Sequence, residues 1–315
     1  MNISHKPEFK EIRKIYTENF LILNSKFLNF QSNFLSDLYK ISNKDLEKAN
    51  IILYFQKKTF QLILELRLTN LNHDISFDKL DENFNLIKQK KNNISQISTD
   101  LNIPKETARR KISELINENI LELKENKVIY NLNNKYQEII LKHIKKIINF
   151  LEYFTQLSNF YKNKENINNQ ILKKFSFISY HFLITELEYL KIWKISLKDL
   201  ELLLIKTQCE IKIQNQIIAS QVNVINFKKF IIDANHSTVG ATSISQITGI
   251  PRASCIRKLE LLCDKKILKK DVTTKRFYSN ILNNKFSYLN FENHNKKIID
   301  SFSKFLYNFL SNLNS

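Results

Sequence analysis

Two stretches of the chain, "NIPKETARRKI" at 102–112 and "GIPRASCIRKL" at 249–259, are near-copies set 147 positions apart. The chain has three prolines, Pro7, Pro104 and Pro251, and two of them hold the same place in the two copies. It has two glycines, Gly240 and Gly249. Gly249 precedes Pro251 by two residues, and the first copy has Asn102 there. Glycine and asparagine best tolerate a left-handed backbone. Proline needs no N–H in the first turn of a helix. Each copy therefore predicts a short helix, a tight turn and a new helix starting at proline.

The periodicity agrees. After Pro104, Ala108, Ile112, Leu115 and Asn119 follow steps of four, three and four, and Ile116 widens the stripe. After Pro251 the equivalents are Cys255, Leu259, Leu262 and Lys266, with Cys263 alongside. This is the pattern of an amphipathic helix that begins with a small buried residue. "ISTDL" (97–101) and "ISQIT" (244–248) read as the short helix before each turn, giving a helix-turn-helix. "ILELKENKVIYNL" (120–132) and "ILKKDVTTKRFYSNIL" (267–282) then read as β-hairpins with polar, basic turns.

A helix-turn-helix followed by a hairpin resembles the winged-helix domains of bacterial transcription regulators. The resemblance rests on "IPKETARRKISEL" (103–115) and "IPRASCIRKLELL" (250–262) and covers about 60 residues per copy. It implies double-stranded DNA as the partner. The second helix would enter the major groove, and the hairpin, or wing, would lie along the minor groove or backbone.

The duplication extends further. "KISNKDLE" (40–47) recurs as "KISLKDLE" (194–201), and "NNKY" (133–136) as "NNKF" (283–286). Leu28, Leu35, Leu38 and Tyr39 match Phe182, Tyr189, Ile192 and Trp193 in character. The expected fold is mainly α: two tandem winged-helix units with flanking helices in a pseudo-twofold arrangement. The first unit is 1–160, with its winged helix at about 75–135. The second is 161–315, with its winged helix at about 225–285, and the boundary falls near "YKNKENINNQ" (161–170). Ile140, Ile144, Ile147, Leu151 and Phe154, and in the second copy Ile298, Phe302, Phe305 and Phe309, make a packing seam on each C-terminal helix. The seam serves either its own unit or contact between the two copies, as the helices of a dimer would.

Charge gives weaker guidance. Lys+Arg number 49 against 31 Asp+Glu, a net +18, which suits an anionic partner. Yet a chain rich in Lys, Asn and Ile with two glycines has the composition of an AT-rich genome, which inflates lysine. The placement of charge matters more than its sum. No apolar run approaches the roughly 18–20 residues that cross a bilayer, and "MNISHKPEFK" lacks a secretory signal's apolar stretch. A cytoplasmic, nucleoid-associated protein is expected. Three cysteines without a CxxC pair and six scattered histidines suggest no disulfide framework and no metal site. Neither a cofactor nor a catalytic residue is expected, and no feature identifies an effector ligand.

The candidate DNA contacts follow from the resemblance. On the first copy's second helix they are Lys105, Arg109 and Arg110, with Thr107 toward phosphate. On the second copy's they are Arg252 and Arg257, with Ser254 toward phosphate. Arginine can bond guanine bidentately, and hydroxyls hold the backbone. Glu106 stands four residues before Arg110, so an ion pair competes with base contact. Ala253 takes that place beside Arg257. Lys111 and Lys258 lie toward the flank, either solvated or on phosphate. Ile256 is apolar where the first copy has Arg109, and either meets a thymine methyl or marks a less direct reader. The wing candidates are Lys124 and Lys127, then Lys275 and Arg276, with Lys269 and Lys270 nearby. Cys255 and Cys263 are expected in the core, with a thiol sensor as the alternative.

The function expected is a transcriptional regulator binding specific duplex sequences as a single-chain pseudo-dimer. Further pairing of two chains is left open. The rivals are a replication initiator with two winged-helix domains and a winged-helix scaffold in chromosome organisation.

Overall fold

The computed structural model describes residues 8–69, 74–84, 87, 89, 92–125, 127–132, 134–157, 167–219, 238–279 and 285–313. The chain is mainly helical, and its strands form two small antiparallel pairs among the described residues. The first half runs α1 (Phe9–Glu18), α2 (Phe20–Ile41), α3 (Leu46–Thr69), α4 (Leu80–Phe84), α5 (Ile94–Leu101), α6 (Lys105–Asn117), β1 (Leu121–Lys124), β2 (Lys127–Tyr130) and α7 (Asn134–Leu157). The second runs α8 (Ile167–Lys173), α9 (Phe175–Leu197), α10 (Leu200–Ala219), α11 (Ala241–Thr248), α12 (Arg252–Asp264), β3 (Leu268–Lys270), β4 (Phe277–Ser279) and α13 (Lys285–Leu313). Part of the boundary expected at 161–170, and both ends of the region expected at 225–285, lie outside the described residues.

The same pairings occur twice. α3 packs on α5, α6 and β2, and α10 packs on α11, α12 and β4. α2 packs on α7, and α9 on α13. This enclosure explains the unbroken apolar runs within α3 and α10. Ile51, Ile52, Leu53, Tyr54 and Phe55 are consecutive and all buried, as are Leu202, Leu203, Leu204 and Ile205. A helix with one solvent face could not bury such a run.

The halves also exchange partners. α9 packs on α3 of the first half, while α2 packs on α10 of the second. α1 packs on α13, and α8 on α7. Ring contacts line the joint. Phe150 of α7 meets Phe302 of α13 edge-on at 5.0 Å, and Tyr16 of α1 touches both. Phe27 of α2 meets Tyr189 of α9 at 5.4 Å, and Phe34 meets Phe182 at 5.3 Å. The seam residues Ile140, Ile144, Ile147, Leu151 and Phe154, and Ile298, Phe302, Phe305 and Phe309, are all buried. Both destinations expected for the seam are realised, since each C-terminal helix packs on its own half and on the other.

The repeated "KIS-x-KDLE" motif turns each half's chain into its central helix. Asp45 Oδ1 accepts hydrogen bonds from the backbone N–H of Glu47 and of Lys48, each at 3.0 Å, which satisfies free donors at the start of α3. Its Oδ2 binds Lys111 Nζ of α6. Asp199 does the same in the second half. Oδ1 accepts from Glu201 N at 2.8 Å and Oδ2 binds Lys258 Nζ of α12, which also reaches Glu201 at 3.2 Å. Lys111 and Lys258 are thus buried, correcting the expectation that they face solvent or phosphate. Their stems cross apolar surface and their ammonium groups end on carboxylates.

One polar group in the joint is less well satisfied. Glu186 of α9 is fully buried and accepts a hydrogen bond from Gln31 Nε2 of α2 at 2.8 Å. Its Oε2 and the Gln31 Oε1 have no hydrogen-bond partner among the described residues. Burial pushes the Glu186 carboxyl up from 4.5 to about 8, against the Gln31 hydrogen bond.

Two outcomes are expected. Asp45→Ala removes a cap and strands the Lys111 charge, and should cost about 3 kcal/mol in denaturant unfolding. Adding Lys111→Met should recover part of that loss. Folded Glu186 keeps its proton up to about pH 8, whereas its ordinary value is 4.5. Folding therefore takes up a proton between those values, and stability falls as pH rises through the window. Glu186→Gln should be more stable than the parent at pH 8, with the gain shrinking toward nothing by pH 4.5. Urea midpoints across that range check this.

Candidate nucleic-acid interface

The two helical pairs match in length and turn geometry. α5 and α11 have 8 residues each, and α6 and α12 have 13. Asn102 sits at φ 52, ψ 49 and Gly249 at φ 77, ψ 3, both left-handed as expected. Pro104 and Pro251 share φ −54 and ψ 138, each just before the first helical residue rather than at it. Side-chain hydroxyls tie the turns. Ser98 Oγ donates to Ile103 O at 2.6 Å, and Thr248 Oγ1 accepts from Ile250 N at 3.2 Å.

The stripes Ala108, Ile112, Leu115 and Cys255, Leu259, Leu262 are buried against the cores. Asn119 and Lys266, expected to extend them, lie past the helix ends. They adopt φ 56 and φ 58 as the chain leaves for its hairpin. The opposite face of α6 exposes Lys105, Arg109 and Arg110, with Thr107 half-buried. That of α12 exposes Arg252 and Arg257, with Ser254 half-buried.

The arginines of the two helices differ in their partners. Arg109 binds both oxygens of Glu106, at 2.8 and 2.9 Å. Arg110 binds Glu114 at 2.6 Å, so the Glu106–Arg110 pair read from the spacing is replaced by two others. The i,i+3 partner of Glu106 won over the i,i+4 one because Glu114 offers Arg110 a carboxylate on the following turn. Glu114 also receives Lys48 of α3 at 2.8 Å, and Lys48 reaches Glu118 at 2.7 Å. The hydrogen bond from Lys48 holds the Glu114 carboxyl below its ordinary value. On α12, Ala253 and Leu261 stand where α6 has Glu106 and Glu114. Arg257 has no ion-pair partner among the described residues, and Arg252 Nε donates to Thr242 Oγ1 of α11 at 3.1 Å. The Arg109 and Arg110 pairs are solvent-exposed, of a kind typically worth about 0.2–1 kcal/mol, so an anionic ligand can displace them.

Each hairpin lies beside its helix, β1 packing on α6 and β3 on α12. Lys124 and Lys127 face each other across the first turn, with Lys127 3.8 Å from Glu125. The second turn is longer and internally bonded. Asp271 Oδ1 accepts from Thr274 N at 2.6 Å, and Asp271 N donates to Arg276 O at 2.8 Å. The first of these bonds holds the Asp271 carboxyl low. Lys275 takes a left-handed φ of 54, and Lys275 and Arg276 are both exposed. Lys270 binds Glu260 at 3.2 Å, and Lys269 is half-buried. Val239 pairs its backbone with Phe277 as an added edge. In the first half the Gln89 side chain makes an equivalent pair of bonds to the backbone of Tyr130.

Ile256 is half-buried, with part of its side chain packed on the core. Cys255 is fully buried with its thiol pushed up by burial, and Cys263 is raised for the same reason. Burial of Cys255 agrees with the expected core role, and a raised thiol carries little thiolate.

Comparison with protein-family models, curated proteins and solved structures finds no match for this chain. Among the described residues no helix is long and apolar enough to cross a membrane. No group of three or more His, Cys, Asp or Glu among them could hold a metal ion. What each half does bring together is a basic helix face and a hairpin.

The turn geometry is open to test. A Cβ at Gly249 would meet nothing within 4 Å, so the cost of Gly249→Ala is conformational alone. It should be about 1–2 kcal/mol. Asn102→Gly, where the left-handed residue already has a side chain, should be near neutral. Thermal melting of the two variants distinguishes them.

Proposed function

We propose that this chain is a sequence-specific duplex-DNA-binding protein, built as two tandem winged-helix units in a pseudo-twofold arrangement and acting in transcriptional regulation. The observation that carries the reading is the twice-repeated exposed face. α6 and α12 bury one stripe and turn Lys105, Arg109 and Arg110, or Arg252 and Arg257, outward beside a hairpin with basic side chains. A helix docked into protein has no need of arginines on that face, whereas a helix in a major groove uses them for guanine edges. The exchange of α2 and α9 between halves supports the built-in dimer. It is the packing two identical chains would make, here within one chain.

In this reading α6 and α12 enter successive major grooves. Thr107 and Ser254 hold phosphate, and the hairpins follow the backbone. The packing of α2 on α10 and of α9 on α3 joins the halves, so the second helix meets DNA at a high effective concentration once the first has bound.

The intact chain should protect an imperfect inverted repeat, with half-sites about one helical turn, roughly 34–36 Å, apart. Sites selected from random duplexes, followed by footprinting, provide the measurement. Arg109→Ala with Arg110→Ala, or Arg252→Ala with Arg257→Ala, should weaken binding by about 1–3 kcal/mol for each base-reading arginine removed and relax preference at particular bases. Unchanged affinity and preference in both double variants would show that these helices do not read DNA.

A further inference from the structure

We propose that the two halves do unequal work on DNA. The second half supplies the sequence-independent grip on the phosphate backbone, and the first half supplies the discrimination between sequences. This rests on the reading that the chain binds duplex DNA through α6, α12 and the two hairpins.

The asymmetry lies in the pattern of partners. The first hairpin, residues 121–130, carries Glu122, Lys124, Glu125 and Lys127 and is neutral. The second, residues 268–279, carries Lys269, Lys270, Lys275 and Arg276 against Asp271, a net +3. Lys275 and Arg276 sit on a turn whose backbone is already ordered by the bonds of Asp271 to Thr274 and Arg276. Neither has an ion-pair partner among the described residues. The cations are presented on a formed loop, so binding orders little chain.

The helices repeat the contrast. On α6 both arginines are held by carboxylates, Arg109 by Glu106 and Arg110 by Glu114. Glu106 is itself largely exposed, so it stands as a negative charge on the face that would meet DNA. On α12 the corresponding residues are Ala253 and Leu261, and Arg257 is left without an ion pair among the described residues. A free surface cation next to a phosphate releases a counterion and binds any duplex. A cation already paired releases less, and the carboxylate beside it repels phosphate. Arg109 and Arg110 therefore gain on DNA when a base edge replaces the carboxylate with comparable geometry, which holds at a correct site and fails elsewhere. The second helix exposes one cation fewer on that face, Arg252 and Arg257 against Lys105, Arg109 and Arg110, and the half-buried Ile256 stands where α6 exposes Arg109.

The test uses the full chain with two probes, a random-sequence duplex and a duplex selected for tight binding, and measures affinity against salt concentration. Lys275→Ala with Arg276→Ala should flatten the slope of log affinity on log salt by about 0.9 for each phosphate left unneutralised, roughly 1.8 in all, on both probes. Lys124→Ala with Lys127→Ala should move that slope by less than half as much. Glu106→Gln should tighten binding to the random duplex several-fold while changing the selected duplex less, so that discrimination falls. Ala253→Glu should do the opposite on the random duplex. Equal slope changes from the two hairpins, or Glu106→Gln tightening both probes alike, would overturn the division of work while leaving duplex binding intact. Absence of salt-dependent binding to either duplex by the parent chain would instead overturn the DNA reading itself.

Discussion

The clasp between a helix-capping aspartate and a buried lysine sets the position of everything on the surface. Asp45 has one oxygen on the N-terminus of α3 and the other on Lys111 of α6. Asp199 repeats this between α10 and α12. α3 and α10 each carry a run of consecutive buried residues, so each basic helix is tied to an element set in the core. The clasp also accounts for the joint repetition of two distant motifs. The aspartate belongs to "KIS-x-KDLE" and the lysine to the second-helix motif, and neither is useful without the other. A lysine buried without its aspartate would be an unpaired charge in apolar surroundings.

Around these clasps the halves have diverged where divergence is cheap. Lys48, which binds Glu114 and Glu118, has Leu202 as its counterpart, and Glu114 has Leu261. The first half thus adds the Lys48 ion pairs to its clasp, while in the second half Lys258 reaches both Asp199 and Glu201 and Leu261 lies exposed. Both solutions keep the backbone geometry, as the shared proline torsions and matched left-handed turns attest. The freedom this gives shows on the exposed face, where one helix carries arginines paired with its own carboxylates and the other carries Arg257 with no ion pair among the described residues.

The turns were readable because this chain uses so few prolines and glycines that two aligned prolines carry unusual weight. Asn102 and Gly249 took the left-handed conformations their residue types favour, and the hairpins formed within the stretches expected of them. The mainly helical character followed from the same periodicities. The partners of the apolar faces were not readable. Periodicity on α2 or α9 marks a buried stripe but does not say whether it meets its own half or the other. Lys111 and Lys258 sat at positions that read as polar flank, and only the approach of Asp45 and Asp199 reveals them as buried. Glu106 stands three residues from Arg109 and four from Arg110, with Glu114 a further four beyond Arg110, and spacing alone does not choose between rotamers. Glu186 reads as an ordinary helix glutamate until α2 is laid across it.

The exchange of helices has a consequence for synthesis. When α2 and α3 leave the ribosome, the faces that meet α10 and α9 have no partner, because those helices lie some 150 residues further along the chain. At about 5–20 residues per second, the wait lasts on the order of ten to thirty seconds. The usual order, in which an N-terminal domain completes its core before the next is made, is closed to this chain. Until α9 and α10 are made, the faces of α2 and α3 that they cover lack their native partners and are open to premature pairing with another nascent copy. For this chain, the rate of elongation and the supply of holding chaperones are therefore part of what determines the yield of native protein.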